Sequence, residues 1–148
     1  MSPKKPSKVA KVIPLYYGEE KQPYAKGTIV YPPNGLVFLS GMSGVDPESG
    51  HIVWGFVKSH TKLAWRKIQK HLEDLGSSLE NIVKIVYYIP NGRDYESVME
   101  ATNEFWKENC PELLENPPPN TVVVAKLAHP GYQVEIDVIG AIPREVLE

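Results

Sequence analysis

Three features of the sequence predict an α+β fold. Two segments carry helical periodicity, several shorter ones read as strands, and their order is strands, helix, strand, helix, two strands. Two helices cannot cover both faces of a sheet of about six strands, so they pack on one face. The other face is left uncovered. Oligomerisation follows from that coverage alone.

Taken in order, residues 1–10 read as a basic tail and residues 11–148 as one domain. Val12 to Tyr17 is a candidate strand, weakened by Pro14. Gly27 to Tyr31 and Leu36 to Ser40 read as two strands. Pro32-Pro33-Asn34-Gly35 between them is turn chemistry and predicts a hairpin. Val45 to Gly50 is a loop, and Ile52-Val53-Trp54 a short strand after it. Ser59 to Leu75 is the first helix, because Ala64, Ile68, Leu72 and Leu75 fall on one face. Lys58, Lys62, Arg66, Lys67 and Lys70 crowd its other faces and read as a solvated exterior. Gly76 ends it. Ile82 to Ile89 is β-rich and nearly all apolar, as a central strand should be. Asp94 is a candidate N-cap for a second helix. Its apolar stripe is Tyr95, Val98, Thr102, Phe105 and Trp106, and it runs to about Asn109. Pro117-Pro118-Pro119 is extended. Thr121 to Leu127 and Gln133 to Ile142 are the last strands.

Composition narrows the function. With 42% hydrophobic and 23% charged residues, the chain has the means to build a core and is not disordered throughout. No apolar run approaches the ~20 residues that span a bilayer, and no secretory signal opens the chain. Cys110 is the one cysteine, so no internal disulfide forms. These features predict a cytoplasmic protein with no membrane association. Lys4, Lys5, Lys8 and Lys11 give the first eleven residues +4. Removing that from the total of −2 leaves the body at −6, poor ground for nucleic acid. His51, His60, His71 and His129 show no metal-ligand spacing, and neither a P-loop nor G-x-G-x-x-G occurs. No metal or cofactor is expected.

Several stretches in order resemble the Rid (YjgF-type) family. Leu36-Val37-Phe38-Leu39-Ser40-Gly41 and Asp46-Pro47-Glu48-Ser49-Gly50 look like its hairpin and loop. Leu72 to Lys84 resembles its helix end and following strand. Thr121 to Leu127 and Val134 to Ile139 are similar to its last two strands, and Pro23-Tyr24 to a pair near its start. The resemblance covers roughly Pro23 to Ile142 and implies a chorismate-mutase-like fold. It also implies a homotrimer whose sheets line a central barrel, with three clefts between subunits. The activity it implies is hydrolysis of reactive enamines and imines with release of ammonia; the family's older names are translation inhibitor and ribonuclease.

The resemblance also implies site residues. Tyr24 matches a cleft tyrosine and Glu135 an acid that handles water or a proton. Ser40 and Gly41 match a Ser-Gly pair that meets the ligand, and Asn120 and Thr121 follow the arginine position. That arginine clasps a carboxylate in the active deaminases, and here the position falls on Pro119, which has neither charge nor donor. Arg93, in the loop after the central strand, is the substitute cation, and Lys26 a weaker one. Three functions stay open: an imine or enamine deaminase with altered substrate, a trimer that binds a small metabolite without turnover, and a nucleic-acid-acting protein, which the acidic body disfavours.

Overall fold

A computed structural model of the chain describes residues 6–7 and 10–145. Lys4, Lys5 and Lys8 of the expected basic tail lie outside them. Pro6–Ser7 (β1) pairs antiparallel with Arg144–Glu145 (β8). Ala10–Tyr17 (β2) pairs antiparallel with Glu20–Val30 (β3). Gly18, at φ 62, makes the turn between them, a conformation that favours glycine.

The hairpin expected through Pro32-Pro33 does not form. β3 turns back on β2, while Gly35–Phe38 (β4) pairs with Glu135–Ile142 (β7), far along the chain. Two consecutive prolines supply no backbone N–H to close a hairpin. The backbone N–H of Asn34 instead donates to the Ile142 carbonyl at 3.1 Å, which starts the β4–β7 ladder. The sheet therefore has four strands, in the order β4-β7-β5-β6, with the β2–β3 pair separate. Ile82–Ile89 (β5) is interior as its sequence predicts. It lies antiparallel to β7 and parallel to Asn120–Val124 (β6). Ile52 makes only an isolated bridge to Val45 rather than a strand.

Val57–Asp74 (α1) and Tyr95–Asn109 (α2) pack on one face of this sheet. Ala64, Ile68 and Leu72 are fully buried there, against Ile85, Ile136 and Val138. Leu75 is 55% exposed, because it sits at the C-cap, where the helix has ended. Trp65 is at the centre. It makes edge contacts with Tyr87 and Trp106 and stacks on Phe105, and its indole N–H donates to Thr102 Oγ1 at 2.9 Å. The basic residues of α1 are not simply solvated. Lys58 and Lys62 pair with Glu100 and Glu104 of α2, and Lys67 Nζ donates to the Val45 carbonyl at 2.8 Å.

Asp94 precedes α2 but its side chain caps nothing. Residues Gly92–Asp94 form a 3-10 turn, and it is the Asn91 side chain that accepts from the Arg93 backbone N–H. A short helix, Glu112–Glu115 (α3), leads into the extended prolines. The Pro119 carbonyl accepts from Ile85 N–H at 3.0 Å, setting the register of β6 on β5. No helix among the described residues is long and apolar enough to cross a membrane.

Candidate functional site

Strand alternation sorts the candidate residues onto two sides of the sheet. On β5, Ile85, Tyr87 and Ile89 face the helices and are buried, so Lys84, Val86 and Tyr88 face the other way. Glu135 lies opposite Tyr88 and Asp137 opposite Val86 in the β5–β7 ladder. Both carboxylates therefore lie on the open face, as their alternation with Val134, Ile136 and Val138 predicts. Thr121 pairs with Val86 and lies on the same face, where its hydroxyl accepts from Lys84 Nζ at 3.0 Å.

Ser40 and Gly41 reach this face because the chain leaves β4 and crosses back over β7. Leu39 N–H donates to the Val138 carbonyl, and Met42 and Ile136 exchange both backbone bonds, at 2.9 and 2.8 Å. That places Gly41 under the Glu135 side chain. A Cβ at Gly41 would lie 2.2 Å from Glu135 Oε1 and 2.8 Å from its Cδ, so the carboxylate sits directly over the glycine and any side chain there would push it aside. Gly41, Tyr88, Lys126, Leu127, Glu135 and Asp137 line a recess of about 340 Å³. Ser40 is exposed beside it.

Tyr24 and Asn120 do not meet Glu135 within one chain. Asn120 pairs with the inward row at Ile85, so it turns toward the helices. With Tyr24 it lines a different recess of about 280 Å³, against Tyr87, Tyr95 and Trp106. A hydrogen bond with Tyr17 and then burial raise the Tyr24 phenol above its ordinary value of 10.0. Arg93 is exposed in its loop, where Nε donates to Asn91 Oδ1 at 3.2 Å. The cation that does line the Glu135 recess is Lys126, which sequence reasoning missed. It follows the end of β6, and only the register of the loop beyond that strand brings it there. A larger recess, about 740 Å³ between the Asp46–Trp54 loop and α1, contains none of the candidate residues.

Two long helices backing one face of a four-stranded mixed sheet, with a carboxylate recess on the other face, define the class: an α+β protein. The sequence narrows the class to one family. The Endoribonuclease L-PSP family model matches residues 19–142, and the chain belongs to that family, the Rid or YjgF group. The mitochondrial protein mmf2 of Schizosaccharomyces pombe is 33% identical over 109 residues, 72% of this chain and 80% of its own. The human 2-iminobutanoate/2-iminopropanoate deaminase is 29% identical over 89 residues, 60% of this chain. The match spans 60% of the length of a RutC family protein of Pyrococcus abyssi and 63% of the human deaminase. Among solved structures, the Rid-family protein YyfB of Yersinia pestis superposes with a TM-score of 0.73 at 16% identity. That superposition covers 90% of this chain and 98% of YyfB, a likeness of fold.

Proposed function

We propose that the chain is a hydrolytic deaminase of a small imine- or enamine-like metabolite, working on the open sheet face of a homotrimer. The observation that carries this reading is the Glu135 carboxylate seated over Gly41, in a recess that also holds Tyr88 and Lys126. Relatives named as imine deaminases support the reaction class. In the proposed reaction a water adds to the C=N carbon while Glu135 takes its proton. Glu135 then returns that proton to the nitrogen, giving a neutral carbinolamine; it next takes the hydroxyl proton and passes it to the nitrogen as the C–N bond breaks, so the carbonyl forms and ammonia leaves. Ser40 and Gly41 border the substrate, and Thr121 lies on the same face. A neighbouring copy would bring Tyr24, Asn120 and Arg93 to the cleft, since none of them lines the Glu135 recess of its own chain. Exposed Leu36 and Phe38, 47% and 69%, give the open face apolar surface for that neighbour.

The substrate differs from that of arginine-bearing relatives, because Pro119 offers nothing to a carboxylate. A lost charged contact costs on the order of 1.5–3 kcal/mol, about 10- to 100-fold. The same proline favours a second reading, a trimer that binds a small metabolite without turnover.

Ammonia release from 2-iminopropanoate generated in situ separates the two. Wild type should exceed the spontaneous rate yet run at least about tenfold below an arginine-bearing relative. Glu135→Gln should lower its enzymatic rate about 100-fold. No rate above the spontaneous one with any small imine, with binding retained, would establish the second reading.

A further inference from the structure

The basic residues of α1 sort into two groups. Lys58 and Lys62 pair with acids of α2. Leu63, Arg66, Lys67, Lys70 and His71 keep the helical spacing of a single stripe, which forms one wall of the recess of about 740 Å³. That volume suits a small molecule. The other wall is the Asp46–Trp54 loop, and it is pinned in place. Lys67 Nζ donates to the Val45 carbonyl at 2.8 Å, His60 Nε2 to the Val53 carbonyl at 3.1 Å, and Gln133 Nε2 to the Gly55 carbonyl at 2.9 Å. Trp54 stands between the last two anchors, yet its side chain is fully exposed. A large ring held out to water on a fixed backbone adds nothing to the core, and this one lines the recess.

Three positive charges on the α1 wall, Arg66, Lys67 and Lys70, face two acids on the loop wall, Asp46 and Glu48. Several of these are already engaged. Asp46 accepts from the Glu48 backbone N–H and the Ser49 hydroxyl, both at 3.0 Å. Lys67 is committed to Val45, and Lys70 to Asp74 at 3.2 Å. Arg66 is exposed and meets no acid within ion-pair distance among the described residues. A free guanidinium and an idle indole lining one recess suit a flat anion, whose ring stacks on the indole while its carboxylate takes the two-pronged contact. We propose that this recess is a second small-molecule site, for a planar aromatic carboxylate held between Trp54 and Arg66. It shares no lining residue with the Glu135 recess or with the recess of Tyr24 and Asn120, and it needs no residue of a neighbouring copy.

The probe pair is 2-naphthoate and its neutral amide, 2-naphthamide, titrated into the full chain. Binding is read by calorimetry and by the indole N–H resonances of Trp54, Trp65 and Trp106. The acid should bind at least about tenfold more tightly than the amide, and should move the Trp54 resonance while those of Trp65 and Trp106 stay in place. Arg66→Gln should remove most of that preference. Glu48→Gln, which takes away an opposing charge, should tighten the acid. Trp54→Ala, at a fully exposed position on which folding does not depend, should weaken both probes about tenfold. Glu135→Gln should leave 2-naphthoate binding unchanged, which keeps this test apart from that of imine hydrolysis. No 2-naphthoate binding at millimolar concentration, equal affinity for acid and amide, or an acid affinity unchanged in Trp54→Ala or Arg66→Gln would each overturn the assignment.

Discussion

The two faces of the four-stranded sheet are built from the same strands and differ in almost everything else. Toward the helices, Ile85, Ile89, Ile136 and Val138 are closed off from water at 0–1% exposure and meet Trp65, Ile68 and Leu72. Leu36 and Phe38 lie open on the opposite face, which also carries Glu135, Asp137, Lys84 and Thr121. The closed face has spent its side chains on packing, so it fixes the backbone. The open face inherits that rigidity and keeps its charges available. Under the proposed function, strand alternation divides stability from chemistry, and substitutions one residue apart should have different consequences.

The largest expected effect is on the closed face. Ile136→Ala leaves a void between β7 and the helices and should lower stability by about 2–5 kcal/mol in urea unfolding. A loss below about 1 kcal/mol would mean that the helix–sheet layer is loosely packed, and the contrast between faces would weaken. Gly41→Ala on the other side should do the reverse. The added Cβ, 2.2 Å from Glu135 Oε1, displaces the carboxylate, so deamination should fall tenfold or more. The chain itself should keep its unfolding midpoint, since Gly41 is exposed. An equal loss of stability and activity would show the seat to be structural.

Much of this division was legible in the sequence. The unbroken apolar run Ile82–Ile89 marked the interior strand, and the spacing of Ala64, Ile68 and Leu72 marked the buried helix face. Glu135 and Asp137 read correctly as outward residues, because their neighbours are apolar at every second position. What failed depends on partners distant in the chain. Leu36–Phe38 looks local to the preceding strand, yet it pairs with Ile139–Ala141, and no short-range signal carries that choice. Tyr24, Asn120 and Glu135, expected in a cleft between subunits, lie apart within one chain, as such a cleft allows. Which way Asn120 faces depends on the register of β6 on β5, set by the Pro119 carbonyl. Asp94 had the right type for a cap, and lost the role to a 3-10 turn closed by Asn91.

The smallest expected effect concerns Arg93. Its guanidinium already donates to Asn91, so its removal disturbs no buried group. Arg93→Ala should weaken binding of pyruvate, a small carboxylate, a few-fold in calorimetry and leave the melting temperature unchanged. Lys126→Ala, made in parallel, sharpens the contrast. Unchanged affinity in Arg93→Ala with a loss in Lys126→Ala would place the anion contact within one chain rather than across a neighbour.

The proposed deamination requires another copy of the chain to cover the open face. Phe38→Ser tests this most directly, because Phe38 is 69% exposed and contributes little to its own chain's core. Sedimentation and ammonia release should be measured on the same samples across a dilution series. Wild type should sediment as a trimer and Phe38→Ser as a monomer with its helical signal intact, and activity should follow the trimer fraction. A Phe38→Ser monomer that releases ammonia at the wild-type rate would contradict it.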